Sequence, residues 1–318
     1  MNELAIFTGS SNLKLAEEVC SYLGRPLDKC SVTKFPDGET FVEVQENVRG
    51  KDCFIIQSTC SPVNDNLMEL LQFCQCLKKS SARSITAIVP YFGYARQDRK
   101  TSARTPISAK LVADMIENAG ADRVLTMDLH APQIEGFFGN NIIVDHLTSE
   151  PVFYELFKGT IHGNSVILSP DAGNFKTASR YSEAFGAGHA FIDKRRTGGD
   201  ETTSTTIVGD VDGKNVYIFD DIISTAGTIC AAARLVKNSG AKSVTVVATH
   251  GVFVGEAYSR IEKSEIDNVY VTNTVPQVNF ELGINYISIH KLLGEAIRRI
   301  QNNESLSVLL ELSNDRIL

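Results

Sequence analysis

Short apolar runs, separated by stretches of helical periodicity, repeat along the whole 318-residue chain. The runs are residues 4–8, 53–57, 84–89, 124–127, 165–168, 216–219, 244–248 and 269–272, all rich in Val, Ile and Phe. They are nearly continuous in hydrophobicity rather than alternating, which suits parallel strands covered on both faces. Helical patterns occupy 11–23, 67–78, 107–117 and 229–239, and glycines such as Gly120 and Gly240 stand where a helix C-cap is needed before the next strand. Strand-helix-strand alternation of this kind predicts an α/β fold, mainly parallel sheets flanked by helices with right-handed crossovers.

At roughly 150 residues per domain the length predicts two domains. The phrase Ala119-Gly120-Ala121-Asp122-Arg123-Val124 returns loosely as Ser239-Gly240-Ala241-Lys242-Ser243-Val244, a hint of duplication. The turn-prone stretch 146–151 puts a boundary near Glu150 and Pro151, giving domains 1–150 and 151–288. Residues 195–206, reading RRTGGDETTSTT, have no apolar face and are expected to form a mobile loop. The net charge of −7 argues against a general nucleic-acid surface. No apolar run approaches the roughly 18 residues needed to span a bilayer, and no charged-then-apolar leader precedes Ala5, so a cytoplasmic protein with no membrane partner is expected. The seven cysteines lie mostly in apolar segments, and Cys74 and Cys76 point in different directions on a helix. They read as reduced, mostly buried thiols rather than as a metal site.

Residues 216–228, VYIFDDIISTAGT, carry the most chemistry. A buried strand ends in Asp220 and Asp221 and runs through Ser224, Thr225, Ala226, Gly227 and Thr228 into a helix. Small residues let backbone N–H groups converge on a phosphate at a helix N-terminus, Thr225 and Thr228 add hydroxyl donors, and the two carboxylates can accept from vicinal sugar hydroxyls. An ordinary strand-to-helix turn with capping residues is the plainer alternative, less attractive beside paired acids. Residues 128–138, DLHAPQIEGFF, follow another strand. His130 there stands where open α/β sheets gather their active sites and can bind a metal or a triphosphate oxygen. The run 94–100, YARQDRK, holds Arg96, Arg99 and Lys100, whose forks and charge suit phosphate or a merely solvated face. Phe35-Pro36-Asp37-Gly38-Glu39 reads as a turn. The chain contains no G-x-x-x-x-G-K-[ST] loop.

Taken together, these segments resemble the ribose-phosphate pyrophosphokinase family, in order and over essentially the whole chain. The 216–228 string is shared with type I phosphoribosyltransferases; the DLHAPQIEGFF string resembles the pyrophosphokinases alone. The resemblance implies two similar type I phosphoribosyltransferase-like domains, with residues 289–318 returning to the first. It implies transfer of pyrophosphate from ATP to the C1 hydroxyl of ribose 5-phosphate, giving 5-phosphoribosyl 1-pyrophosphate (PRPP) and AMP. Phe35, Asp37, Glu39, Arg96, Gln97, Arg99 and His130 would then contact ATP, the first three reaching a neighbouring subunit's adenine in an oligomer, usually a hexamer. Asp220, Asp221 and 224–228 would hold ribose 5-phosphate, with Arg196. His130 and Asp171 would serve Mg2+, and Lys194 and Arg196 would be catalytic. The family also includes silent regulatory subunits, against which the intact Lys194, Arg196, His130 and Asp171 speak; a phosphoribosyltransferase is the other rival. The chain departs from the family's pattern at Asn174, where a glycine is usual, at Pro132, and at Gly139 in a longer loop after Phe138. If that usual glycine has φ > 0, asparagine is the most tolerant replacement. The departures at Pro132 and Gly139 lead to the expectation that phosphate activation or ADP inhibition is altered or absent.

Overall fold

The computed structural model describes residues 3–171, 173–196, 203–276 and 283–312. The chain divides into two compact units, one of Met1–Ser149, Thr274–Pro276 and Ser288–Leu318, the other of Glu150–Asn273 and Gln277–Ile287.

The first unit opens with β1 (Leu4–Thr8), α1 (Leu13–Tyr22), β2 (Cys30–Lys34), β3 (Thr40–Val44), β4 (Asp52–Ile56), α2 (Val63–Lys79), β5 (Ser84–Val89), α3 (Ser108–Ala119), β6 (Arg123–Met127) and β7 (Ile143–Leu147). Five strands form a parallel sheet in the order β1-β4-β5-β6-β7. Both faces are covered: Phe7, Ile55, Ala87 and Val124 are buried with Phe73 and Leu77 of α2, and the alternate residues Ile6, Phe54, Ile88 and Leu125 are buried as well. That double burial is why these strands read as unbroken apolar runs. β2 and β3 form a separate antiparallel hairpin. It was not among the expected strands, because Cys30–Lys34 is half-exposed and lacks a clear apolar face.

The second unit contains α4 (Glu150–Phe157), β8 (Ser165–Ser169), α5 (Phe175–Phe185), β9 (Gly188–Arg196), β10 (Thr203–Val208), β11 (Asn215–Ile223), α6 (Gly227–Asn238), β12 (Ser243–Gly251), α7 (Ala257–Glu262), β13 (Asn268–Thr272) and β14 (Ile284–Ile287). Its seven-stranded sheet runs β10-β9-β8-β11-β12-β13-β14 and is parallel except for the β9–β10 pair. Much of 195–206 is therefore strand and not loop. Arg196 pairs with Thr203 and Lys194 with Thr205, because a Thr-rich run has β-branched chemistry that satisfies its main chain along β9. Residues 197–202 lie outside the described part. The turn-prone 146–151 is likewise regular: His146 and Leu147 close β7, and Glu150 and Pro151 open α4.

The last long helix, α8 (His290–Gln301), belongs to the first unit and packs on α1. Leu292, Leu293, Ala296 and Ile297 bury its apolar stripe. Glu295, though buried, receives hydrogen bonds from the Arg298 and Arg299 guanidinium groups, so its charge is compensated. Gly294 lets the two helices approach, since a Cβ there would lie 2.4 Å from Tyr22 Cδ1. Among the described residues no helix is long and apolar enough to cross a membrane. All seven cysteines are free thiols. Burial pushes Cys53 and Cys74 up to about 12, so neither offers a thiolate.

Gly294→Ala is expected to destabilise the protein by about 1–3 kcal/mol through overpacking. Thermal unfolding checks it: a clear fall in Tm supports close α1–α8 contact, and an unchanged Tm shows that Tyr22 yields without cost.

Candidate functional site

In the second unit the chemistry collects where β11 outlasts its neighbour. β8 pairs with β11 only as far as Ile218, while β12 follows β11 on to Ile223. Asp220 and Asp221 thus lie inside β11 and not beyond it, on the stretch whose β8 side has lost its ladder. Past the strand, Ala226 has φ +62°, a left-handed conformation that is unfavourable for a residue bearing a Cβ. It turns the chain so that α6 begins at Gly227 with Ala226 as its N-cap, and no side chain caps that end. The first amides of α6 therefore point out at the concave end of the loop, the arrangement that receives an anion. Gly227 has ordinary φ, and a Cβ there would meet nothing nearer than Arg260 Nη1 at 3.8 Å. Protein packing therefore does not demand glycine at this position.

The Asp171 turn adjoins the Asp220 carboxylate. Asp171 Oδ1 accepts the Gly173 and Asn174 amides at 2.9 and 3.1 Å. Asn174 has φ −87°, so it needs no glycine conformation, and the reason considered for its tolerance does not apply. Its side chain does other work, since Nδ2 donates to Asp220 Oδ1 at 2.6 Å. Burial first, then the negative charge of Asp221, hold the Asp220 carboxyl well above the usual carboxylate range; Asn174 opposes this and Asp171 adds to it.

This donor set fits a hard divalent cation. Three acids repel one another, and no hydrogen bond reaches Asp171 Oδ2 among the described residues. Among the described residues no group of three or more His, Cys, Asp or Glu is placed to hold a metal ion on its own. A cation held by one or two carboxylates, water and substrate oxygens meets both facts.

In the first unit, β6 ends at Met127 and Asp128 turns sharply at φ +39°. Asp128 Oδ2 accepts the Ser149 amide at 2.9 Å. Leu129 and Ala131 are buried on either side of His130, which is exposed. Pro132–Phe137 coil as a short 3-10 helix, with Ile134 in the core. The 94–100 segment is brought against this turn, because Gln133 Nε2 donates to Asp98 Oδ2 at 2.7 Å. Arg96, Gln97 and Arg99 are exposed, and Tyr94, at φ +66°, starts the turn that presents them. Gln97 Oε1 accepts from Ser108 Oγ at 2.6 Å, which ties it to the start of α3. Phe35, Asp37 and Glu39 lie at the tip of the β2–β3 hairpin, all exposed. Gly38, at φ +95°, closes that turn, and Phe35 packs on Phe41 with ring centroids 5.5 Å apart. Lys34, the last residue of β2 before that turn, pairs with Asp65 of α2.

The main chain of Lys194 and Arg196 belongs to β9; their side chains fall outside the described part. Sequence reasoning passed over Arg260. Its Nη1 donates to the Thr225 carbonyl at 3.1 Å while Nη2 pairs with Glu256, so a cation from α7 buttresses the Ser224–Thr228 loop. The only sequence signal was one arginine in a short helix far along the chain. It also passed over Glu117, whose carboxylate accepts the Gly139 amide at 2.7 Å and fastens the longer loop after Phe138 to α3.

Comparison with known proteins shows what the chain as a whole is similar to. The N-terminal domain of ribose phosphate pyrophosphokinase matches residues 4–120, and the phosphoribosyl synthetase-associated domain matches 196–311. The chain is 48% identical to the ribose-phosphate pyrophosphokinase of Rhodopirellula baltica, over 97% of this chain and 99% of that one. It is 48% identical to that of Campylobacter jejuni, with the same coverage of each. Its structure superposes on phosphoribosylpyrophosphate synthetase from Mycobacterium smegmatis with a TM-score of 0.89 at 39% identity, covering 95% of this chain and 100% of that one. A relationship that runs the length of both chains makes this chain a member of the ribose-phosphate pyrophosphokinase family of enzymes.

Proposed function

We propose that the protein makes PRPP and AMP from ATP and ribose 5-phosphate, with Mg2+ as cofactor. The observation that carries this reading is the uncapped start of α6 at a left-handed turn, directly beyond two acids in one strand. A sugar phosphate matches both ends of that arrangement. Its phosphate takes the Ser224–Thr228 amides and hydroxyls, and its ring hydroxyls donate to Asp220 and Asp221. Arg260 holds the loop in shape and adds positive charge beside it.

In the reaction, the ribose O1 attacks the β-phosphorus of ATP. The O1–Pβ bond forms, the bond from Pβ to the oxygen bridging to Pα breaks, AMP departs with that oxygen, and the O1 proton passes to solvent. Arg96, Gln97, Arg99 and His130 bind the nucleotide, and Phe35, Asp37 and Glu39 serve its base, reaching it from a neighbouring subunit of a hexamer. Asp171 and His130 would be the protein's contacts to magnesium, which when bound would supply positive charge against the phosphates. Lys194 and Arg196 stabilise the charge of the transferring group. Catalysis of this kind is positioning plus electrostatics, and no side chain is assigned as a general base. The departures at Pro132 and Gly139 extend the proposal to an altered response to phosphate and ADP.

The direct test incubates the purified protein with Mg-ATP and ribose 5-phosphate, with and without phosphate. PRPP and AMP are expected in equal amounts, only with both substrates present and not after chelation of the metal; absence of PRPP under every condition overturns the reading. Strong phosphate stimulation would overturn the regulatory part alone. Gly227→Ala is expected to leave Tm unchanged and to weaken ribose 5-phosphate binding at least about tenfold, because its methyl occupies the ligand's side of the loop. Unimpaired binding would place the sugar phosphate elsewhere. Arg196→Ala should cut turnover by on the order of 10³, as for other arginines aimed at transferring phosphoryl groups. Lys194→Ala should also cut it sharply, with ribose 5-phosphate binding nearly intact, and near-normal turnover in both variants would remove them from the mechanism.

A further inference from the structure

The Asp128-Leu129-His130 turn rests on a side chain from the neighbouring strand. His146 lies on β7 opposite Thr126 of β6, so its ring stands beside the point where β6 ends. His146 Nε2 accepts the Leu129 amide at 2.9 Å. A ring nitrogen that accepts carries no hydrogen, so the proton of the neutral ring sits on Nδ1. Nδ1 in turn meets Glu135 Oε1 at 2.6 Å, and donates to it. The chain of contacts therefore runs from Glu135 through the imidazole to the Leu129 amide, one residue before His130. Two more contacts hold the same turn, Asp128 N to the Leu147 carbonyl at 3.0 Å and Ser149 N to Asp128 Oδ2 at 2.9 Å. These clamp Asp128 at its left-handed φ of +39° but leave the Leu129 peptide to His146.

We propose that His146 and Glu135 are positioning residues for His130: the imidazole, locked by Glu135 as the tautomer that accepts through Nε2, fixes the Leu129 amide and so the direction in which His130 leaves the turn. The inference rests on the reading of His130 as a nucleotide-triphosphate contact. Leu129 is 6% exposed, so its amide finds no ready water if the ring is lost. His146 is itself largely shielded, with 18% of its side chain exposed, whereas Glu135 is 45% exposed and can be replaced with little risk to folding. The two residues differ in sequence position by eleven and sit on different elements, so the lock exists only when the 3-10 turn and β7 are both in place.

The experiment measures steady-state kinetics and Tm for His146→Leu, His146→Gln, Glu135→Ala, His130→Ala and the double variant His146→Leu with His130→Ala. His146→Leu should lower kcat/KM for Mg-ATP by about five- to tenfold, the scale of one lost buried hydrogen bond, with the KM for ribose 5-phosphate within about twofold. His146→Gln, which keeps an acceptor at similar reach, should recover most of the loss. Glu135→Ala should give a smaller loss of the same kind with Tm little changed. In the His130→Ala background His146→Leu should cost nothing further in Mg-ATP kinetics, since a residue that acts through His130 has nothing left to position. Wild-type kinetics for His146→Leu beside an impaired His130→Ala would overturn the proposal alone. Additive losses in the double variant would overturn it too, leaving His146 a merely structural residue. Should His146→Leu not fold, unchanged Mg-ATP kinetics in both Glu135→Ala and His146→Gln beside an impaired His130→Ala would overturn it as well. Unchanged kinetics in His130→Ala would overturn the reading of His130, and the proposal with it.

Discussion

A parallel strand covered on both faces has no place for a charge along its length, so polar chemistry is driven to where the strand runs out of neighbours. The rest of this structure depends on that constraint. β6 stops and Asp128 follows; β8 stops and Asp171 follows; β11 continues past the last residue paired to β8, and on that extension stand Asp220 and Asp221. Three of these acids have local partners within their own unit: the Ser149 amide for Asp128, the Gly173 and Asn174 amides for Asp171, Asn174 again for Asp220. The cores behind these ends are ordinary packed layers of aliphatic and aromatic side chains. What distinguishes the molecule is how the backbone is bent just beyond them.

That bending is visible in three residues. Tyr94, Asp128 and Ala226 all carry positive φ without being glycine, and all three open segments expected to bind substrate. Such conformations cost about a kilocalorie or more and persist where surrounding contacts over-determine them. Around Asp128 the over-determining contacts are Leu147, Ser149 and, one residue on, His146. Around Ala226 they include Arg260 on the adjacent Thr225 carbonyl. Ser81, Phe253 and Asn303 carry positive φ as well, so such bending is not confined to these segments; at Asp128 and Ala226 its supports come from other elements.

This also marks the limit of what could be read from the chain alone. The buried strands, four of the helices and the motif-bearing loops were legible, because continuous apolar runs and contiguous strings such as DLHAPQIEGFF need no third dimension. Parallel α/β organisation followed from them and stands. The extent of β11 was not legible, since an acid inside a strand contradicts the apolar pattern unless one ladder is known to be missing. The β9–β10 pairing was hidden by a polar, glycine-containing string whose satisfaction lies in its partner strand. Asn174 was weighed as a conformational substitute for glycine, when its amide group is what engages Asp220. His146, Glu117 and Arg260 are single residues whose significance is entirely a matter of contact.

The return of α8 to the first unit bears on how the protein is born. A chain leaving the ribosome presents β1 first, yet the helix that covers α1 is encoded after the whole of the second unit. The unit begun first is thus the one completed last, and until Leu292, Leu293 and Ile297 emerge, the surface of α1 that receives them remains uncovered. The second unit, contiguous but for its final strand, can close before that happens. The order of residues along the gene and the order in which the cores seal are therefore opposite.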